Sequence, residues 1–349
     1  MTRVDHRCAV LGHPIAHSLS PVLHMAAYRA LGLEGWSYRR VDVEEAALPG
    51  FLAGLDGSWM GLSLTMPLKR TIRPFGSPCD GWSEELGVSN TAVLRFGAPS
   101  ADSGAAPADG PAAATGVTGP ALGPTSIALY NTDVHGIERA IRHARPDLPP
   151  EADVAILGNG NTALSALAAC TMLFRRSRIS VLARRPERST ALSDFASRHA
   201  DRIATFRSLP LEGERTPSLL PACDLVVSTL PSHAADGLAR NLLVASGTMS
   251  GTLLDVAYDP HPSLLQSTWG RLHGVGIGGE EMLLYQAIDQ VELMVGAVPE
   301  GRARLEATDA NDVENAMRRA LESALAAGRP GPAHAGGGND RGTGSEDER

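Results

Sequence analysis

The chain has 349 residues, of which 43% are hydrophobic, so it is long enough for two domains with separate cores. Its formal net charge of −8 and its scattered arginines argue against a nucleic-acid-binding protein. The four cysteines have no CxxC spacing, the histidines do not cluster, and no apolar run could span a membrane, so we expect a cytoplasmic protein with reduced thiols and no metal site.

The first predicted strand, residues 9–11, leads into a helix whose start and end are both marked. Ser20 is expected as the N-cap, Pro21 as the first helical residue and Gly32 as the residue after the last turn. Ser18 is not needed for that structure. Because hydroxyl groups beside free helix N–H groups suit an anion, Ser18 and Ser20 together predict a site for a small carboxylate.

Lys69 follows the next predicted strand, residues 60–64, at a position where helices disfavour cations. Pro67 is expected at the first position of the helix after this strand, which places Lys69 in its first turn. The positive end of a helix dipole disfavours an ammonium group there. A function is one good reason for a lysine at such a position.

Two segments have the composition of unstructured chain. Residues 98–125 consist almost entirely of Ala, Gly, Pro, Ser, Thr and Asp, and they join the predicted strands 91–96 and 126–130. This composition predicts a flexible insertion at the tip of a hairpin. Residues 330–349 have the same character and predict a disordered tail.

Asp133 follows the strand predicted at residues 126–130 and opens an amphipathic helix. If the fold brings Asp133 to Lys69, the two form an ion pair at the end of a sheet, where proton-transfer chemistry is usually placed. The alternative is a helix-capping aspartate and an unrelated surface lysine.

Residues 153–258 alternate short apolar strands with helices, which is typical of a parallel sheet covered on both faces. The first strand, residues 154–157, runs into a glycine-containing loop and then a helix. The glycines permit a tight turn and a close approach of the backbone to a pyrophosphate at the helix N-terminus. The loop therefore predicts a dinucleotide site at Gly158, Asn159, Gly160, Asn161, Thr162 and Ala163.

The end of the second strand, predicted at residues 179–183, indicates which dinucleotide binds. An NAD site usually has an acidic residue there to hold the ribose hydroxyls, whereas this chain has Arg184 and Arg185. Guanidinium groups bind phosphate with two parallel hydrogen bonds, so NADP is the better prediction, with Arg184 or Arg185 on the 2′-phosphate. The alternative, a solvated helix start, would be better served by acidic residues.

Seven motifs, in this order, resemble the shikimate dehydrogenase family, and their joint occurrence is far more specific than any one of them. The resemblance spans most of the chain, from residue 10 to residue 296. The motifs are GHPIAHSLSP at 12–21, LTMPLK at 64–69, GVSNT at 87–91, NTDVHG at 131–136, the loop at 158–163, DVAYDP at 255–260 and MLLYQ at 282–286.

The resemblance implies an α/β fold of two domains with a central cleft. Residues 1–134 and 278–329 would form an α/β substrate-binding domain, with 98–125 as its insertion. Residues 135–277 would form a Rossmann-like NADP-binding domain, and a helix at about 280–295 would return to the substrate domain.

The resemblance also implies reversible, NADP-dependent reduction of 3-dehydroshikimate to shikimate, in chorismate and aromatic amino acid biosynthesis. Lys69 and Asp133 would be the catalytic pair, in a monomer or homodimer without nucleic-acid or membrane partners. The substrate-binding residues would be Ser18 and Ser20 on the carboxylate, Thr65, Asn90, Asp133 and Gln286 on the ring hydroxyls, and Tyr258 near the substrate and the cleft.

Some positions depart from the family pattern. Ser63 stands where asparagine is common, so a substrate hydrogen bond would be shorter in reach or absent. Glu280 and Glu281 are expected near the nicotinamide or in solvent. Two other functions stay open: a dehydrogenase of quinate or an aminoshikimate, and a redox-inactive paralogue that binds a dinucleotide.

Overall fold

The computed structural model describes residues 5–97, 123–213, 216–245 and 247–327. Within them the chain forms two six-stranded sheets, which confirms the predicted α/β class. The first sheet contains β1 (His6–Gly12), β2 (Trp36–Asp42), β3 (Trp59–Leu64), β4 (Ser77–Pro78), β5 (Thr91–Arg95) and β6 (Ser126–Tyr130). The second contains β7 (Glu151–Leu157), β8 (Arg176–Ala183), β9 (Ile203–Pro210), β10 (Leu225–Ser228), β11 (Thr252–Asp255) and β12 (Val275–Gly278).

The α-helices of the described residues follow the strands in both halves of the chain. Those of the first half are α1 (Ser20–Ala30), α2 (Leu48–Ala53), α3 (Leu68–Thr71), α4 (Gly81–Leu86), α5 (Asp133–Ala144) and α6 (Asn161–Leu173). The others are α7 (Thr190–Arg198), α8 (Thr216–Leu219), α9 (Asp236–Val244), α10 (Leu264–Arg271), α11 (Gly279–Val295), α12 (Pro299–Ala307) and α13 (Ala310–Ala327).

The first sheet is mixed, with the strand order β2-β1-β3-β5-β6-β4. β1 lies parallel to β2 and β3, and β5 pairs antiparallel with both β3 and β6. The pairing of β5 with β6 confirms the hairpin predicted from the sequence. The insertion predicted at its tip lies outside the described residues from 98 to 122, and so does the predicted tail at 330–349.

The second sheet is entirely parallel, in the order β12-β11-β10-β7-β8-β9. The four strands predicted in this region correspond to β7, β8, β10 and β11, the inner strands. The sequence gives no clear signal for β9 and β12 because both are edge strands. β9 alternates buried or half-buried residues with exposed ones, and β12 contains only four residues, two of them glycine.

Helices α5, α6 and α11 connect the two sheets through one continuous apolar core. α5 packs against both α6 and α11. A Cβ atom on Gly136 would lie 2.8 Å from Cβ of Gln286 and 3.0 Å from the carbonyl oxygen of Met282, so glycine is needed for this close approach. The contact fixes α11 against the start of α5, where Asp133 lies.

Two predicted helix starts differ from the structure. α3 begins at Leu68, one residue after Pro67, and has only four residues. A helix this short has a weak dipole, so the expected dipole penalty on Lys69 is small. Leu19, not Ser20, stands at the N-cap of α1, and Ser18 Oγ accepts the backbone N–H of Ser20 at 3.3 Å. Ser18 thus accepts the N–H of the first helical residue, although neither serine is the N-cap of α1.

The described part of the chain contains no helix that is long and apolar enough to cross a membrane. All four cysteines lie within it and none is in a disulfide. Among these same residues, no group of three or more His, Cys, Asp or Glu side chains is arranged to hold a metal ion.

Candidate active site

A cavity of about 280 Å³ lies between the two sheets and contains every residue that the sequence predicted to touch substrate. Its walls come from the ends of β1 and β3, from α5 and α11, and from the loop after β11. The polar side chains on these walls are His17, Ser18, Ser20, Ser63, Thr65, Lys69, Asn90, Asp133, Thr162, Tyr258, Gln286 and Gln290.

Lys69 and Asp133 form an ion pair in this cavity. Lys69 Nζ donates to Asp133 Oδ2 at 2.5 Å, and the side chains are 11% and 5% exposed. Lys69 is held by the turn after β3, and Asp133 is the first residue of α5 after β6. Because both charges are largely removed from water, each depends on the other, and loss of one partner leaves an uncompensated charge.

The carboxylate of Asp133 is fixed from more than one side. Asn90 Nδ2 donates to its second oxygen, Oδ1, at 2.9 Å, so the two oxygens face different donors. The backbone N–H of Asp133 donates to Asn131 Oδ1 at 3.2 Å. The ammonium of Lys69 is thereby aimed by a carboxylate that cannot turn freely.

Ser18 and Ser20 lie side by side in the cavity, with Ser18 Oγ donating to Ser20 Oγ at 3.2 Å. Arg40 Nε donates to the carbonyl oxygen of Ser18 at 2.6 Å, which brings a positive charge to this part of the site. Burial raises the pKa of Tyr258, so its phenol stays protonated and can donate. Two hydroxyls, a phenol and a nearby guanidinium can bind an anionic group.

A second cavity, of about 690 Å³, meets the first at Thr65, Lys69 and Thr162. Its walls include the loop Gly158 to Thr162 and the arginines Arg184, Arg185 and Arg188, which are exposed at the end of β8. Asn159 Nδ2 donates to the carbonyl oxygen of Arg185 at 2.9 Å and so ties the loop to this arginine segment.

The loop has the geometry that close approach to a phosphate requires. Gly158 has a φ of 105°, and a Cβ there would lie 2.6 Å from Thr229 Oγ1, so only glycine fits. Ala163 is fully buried beneath the loop and lines neither cavity, which agrees with a packing role. The structure therefore brings five of the six predicted loop residues, with Arg184 and Arg185, to one cavity.

Comparison with known proteins assigns the chain to a family. A family model described as the shikimate dehydrogenase substrate binding domain matches residues 10–92. The crystal structure of shikimate dehydrogenase from Mycobacterium tuberculosis superposes with a TM-score of 0.68 at 30% identity, covering 91% of this chain and 99% of that one. The chain belongs to the shikimate dehydrogenase family.

Curated relatives give the same assignment over most of their length. Shikimate dehydrogenase (NADP(+)) of Methanothermobacter thermautotrophicus is 27% identical over 305 residues, which is 86% of this chain and 94% of that protein. The enzyme of the same name from Thermus thermophilus is 29% identical over 324 residues, which is 90% of this chain and 98% of that protein.

The sequence contains a further signal for Lys69 that was not used in predicting the site. Lys69 is the only lysine among the 349 residues, and all other residues of the Lys and Arg class are arginine. An ammonium group can release its proton, whereas a guanidinium effectively cannot. The one position that keeps an amine is the one that lies between the two cavities.

Glu280 and Glu281 do not point into solvent, since their side chains are only 17% and 23% exposed, whereas their nearness to the nicotinamide stays a prediction. Neither lines the substrate cavity or the second cavity. Glu280 Oε2 lies 3.3 Å from His261 Nδ1. Burial of the Glu280 carboxyl group raises its pKa. Glu281 accepts from Arg318 Nη1 at 2.6 Å, so it faces α13.

Two polar contacts of the site were not predicted. Arg70 Nε donates to Asn161 Oδ1 at 2.8 Å, which ties the lysine segment to the glycine loop across the cleft. Gln290 lies in the substrate cavity one helical turn after Gln286. That spacing of four residues is a helical signal for a shared face and could have identified Gln290.

Proposed function

We propose that the protein is an NADP-dependent shikimate dehydrogenase, which reversibly reduces 3-dehydroshikimate to shikimate. The observation that carries the proposal is the Lys69–Asp133 ion pair at the junction of the two cavities. Its relatives from Methanothermobacter and Thermus have this activity by name. The reaction serves aromatic amino acid and chorismate biosynthesis.

We assign the substrate to the domain of residues 1–134 and 278–329, and NADP to the domain of residues 135–277. The first contains β1 to β6 with α11, and the second contains β7 to β12. The 280 Å³ cavity, at the small end of ligand pockets, suits a six-membered ring with a few polar groups.

Ser18, Ser20 and Tyr258 hold the substrate carboxylate in this proposal. The Tyr258 phenol and the Ser20 hydroxyl each donate one hydrogen bond, and the hydroxyl hydrogen of Ser18 turns from Ser20 to the carboxylate when substrate binds. The Arg40 guanidinium beside Ser18 favours negative charge. The ring hydroxyls face the opposite end of the cavity, where the polar side chains are Thr65, Asn90, Asp133 and Gln286.

NADP, when bound, supplies the hydride carrier. Lys69 stabilises the negative charge that develops on the substrate oxygen during reduction and gives that oxygen a proton. Asp133 holds the ammonium in place and accepts a hydrogen bond from a substrate hydroxyl. The largely water-free position of the pair strengthens these interactions.

The second cavity fits NADP by its donor set. The first residues of α6 and the loop from Gly158 present backbone N–H groups to a diphosphate, and Gly158 has no side chain to block its approach. Arg184 and Arg185 lie at the end of β8, where the 2′-phosphate distinguishes NADP from NAD. Both guanidinium groups are exposed and free to bind it bidentately.

We also propose that the enzyme works in the cytoplasm as a monomer or homodimer. Four free cysteines are typical of a reducing compartment. Sedimentation analysis at the concentration of the assay would distinguish the two oligomeric states.

The function is tested with purified protein and a matrix of substrates and coenzymes. Shikimate and quinate are each oxidised with NADP and with NAD, and the initial rates are compared as kcat/KM. We expect shikimate with NADP to exceed every other pair by at least about tenfold. A preference for quinate would assign the enzyme to the alternative substrate, and no turnover with any pair would support a binding-only paralogue.

A further inference from the structure

An unbroken series of hydrogen bonds runs through the buried floor of the substrate cavity and ends at Asp133. Every side chain in it is at most 5% exposed. The bonds are Tyr38 Oη to Ser63 Oγ at 2.6 Å, Ser63 Oγ to Gln290 Oε1 at 2.6 Å, Gln290 Nε2 to Thr91 Oγ1 at 3.1 Å, Thr91 Oγ1 to Asn90 Oδ1 at 2.9 Å, and Asn90 Nδ2 to Asp133 Oδ1 at 2.9 Å.

The direction of the last bonds is fixed by groups that can only donate or only accept. The ionised carboxylate of Asp133 only accepts, so it takes the NH₂ group of Asn90. The backbone N–H of Thr132 only donates, and it reaches Asn90 Oδ1 at 2.8 Å. Thr91 has one hydroxyl hydrogen and directs it to that same oxygen, so Thr91 must accept from Gln290.

The donor and the acceptor of each remaining bond are then fixed as well. Gln290 directs its NH₂ group at Thr91, so its carbonyl oxygen accepts the single hydroxyl hydrogen of Ser63. Ser63 must in turn accept from Tyr38. Burial raises the pKa of Tyr38 well above its ordinary value, so the phenol keeps the proton that it donates. Each hydroxyl hydrogen of the series has one assigned acceptor.

We propose that Ser63, Gln290 and Thr91 are positioning residues that hold the Asn90 amide with its NH₂ group toward Asp133. This inference rests on the proposed catalytic role of Asp133. If the amide turned over, it would present its oxygen to a carboxylate and lose the bonds from Thr91 and Thr132. The series therefore gives Asp133 a fixed second donor, which keeps the carboxylate aimed at Lys69.

The same series gives Ser63, which stands where the family commonly has asparagine, a role in holding Gln290. Its only hydrogen is directed at Gln290, and Tyr38 occupies one of its lone pairs. Ser63 can offer the substrate only its remaining lone pair. Position 63 in this chain thus acts mainly through its hydrogen bond to Gln290.

The test compares Thr91→Val, which keeps the shape but removes the hydroxyl, with Thr91→Ser, which keeps the hydroxyl. We expect Thr91→Val to lower kcat for shikimate about fivefold, with KM for NADP changed less than twofold. Thr91→Ser should lose less than twofold in kcat, because it keeps the hydroxyl that donates to Asn90.

A second variant protects the test against a folding defect. Gln290→Met keeps the length of the side chain and breaks the series one bond further from Asp133, so its loss of kcat should be smaller than that of Thr91→Val. Melting temperatures are measured for all variants. Equal kcat for Thr91→Val and Thr91→Ser would overturn the proposal, as would a kcat loss that follows the melting temperature and not the distance from Asp133. Failure of the proposed function itself would appear separately, as an inactive wild type.

Discussion

The two cavities are built in opposite ways. The substrate cavity draws its polar side chains from segments that are distant in the sequence, such as Ser18, Lys69, Asp133 and Gln286, and buries them. The cofactor cavity draws most of its wall from one strand–loop–helix–strand unit, and its arginines are exposed. One site is a buried network and the other is an exposed, charged surface.

This contrast predicts different kinetic consequences. Buried groups that hydrogen-bond to one another are already in position for the transition state, so their loss should lower turnover. Exposed charges contribute binding energy that salt screens, so their loss should lower affinity for the coenzyme. Variants in the two cavities should therefore separate into kcat effects and KM effects.

The largest effect is expected for Lys69→Met, which keeps the length of the side chain and removes the ammonium group. Turnover of shikimate should fall about 10³-fold, within the usual range for a catalytic acid, because charge on the substrate oxygen loses its stabilising group. KM for NADP should change little. Steady-state kinetics with NADP varied at saturating shikimate measure both values, and a turnover within about threefold of wild type would remove Lys69 from the mechanism.

Asp133→Asn should have the next largest effect, about 10²-fold on turnover, because the amide cannot balance the buried ammonium of Lys69. Circular dichroism shows whether the fold is retained. Asp194→Asn is a matched control, because Asp194 is an exposed aspartate of α7. If both variants had the same activity, the buried pair would be structural only.

The double variant Arg184→Ala/Arg185→Ala tests the other cavity. We expect KM for NADP to rise about 10- to 100-fold with kcat nearly unchanged, since each charge-assisted bond to the 2′-phosphate is lost. The wild-type KM for NADP should also rise with salt. Arg175→Ala is the control, because Arg175 is exposed beyond the other end of β8. An unchanged NADP-to-NAD ratio would refute the assignment of these arginines.

The smallest effect concerns stability and not rate. His24 is buried under the substrate cavity, with its ring stacked on Tyr38 at 3.8 Å and Nδ1 at 2.9 Å from the carbonyl oxygen of Ser20. Burial lowers the pKa of His24 to about 4. The unfolded chain binds this proton near pH 6.5, so the folded state loses stability as the pH falls from 6.5 to 4.

The loss from His24 should be on the order of 3 kcal/mol. In His24→Phe, which keeps an aromatic ring on Tyr38, the free energy of unfolding should fall less steeply over the same pH range. Denaturant titrations at several pH values measure both curves. Parallel curves would show that His24 is not the group responsible.

The sequence predicted the cofactor cavity more completely than the network beneath the substrate. The loop at Gly158 and the arginines after β8 are adjacent to a strand, so local pattern places them. Lys69 and Asp133 could be selected as candidates, but only the fold brings them together. The bonds of Ser63 with Tyr38 and Gln290 depend on contacts between three separate elements, for which one sequence has no local signal.

The helix starts show a similar limit. Ser20 was expected at the N-cap and is the first helical residue of α1, whereas Pro67 was expected as the first helical residue of α3 and stands at its N-cap. The two errors are of one residue in opposite directions, because local preferences do not fix where a helix begins. The contacts of Glu280 with His261 and of Glu281 with Arg318 could not be predicted, because these partners belong to other elements.

The central claim is that the ammonium of Lys69 contacts the bound substrate beside the coenzyme. Because the chain has a single lysine, ¹⁵N-lysine labelling gives one side-chain ammonium resonance that reports on this site alone. We predict that the resonance shifts when shikimate is added to the NADP-bound protein, and that the shift saturates near the kinetic KM for shikimate. A resonance that stays unchanged while the enzyme is saturated with shikimate would contradict the account.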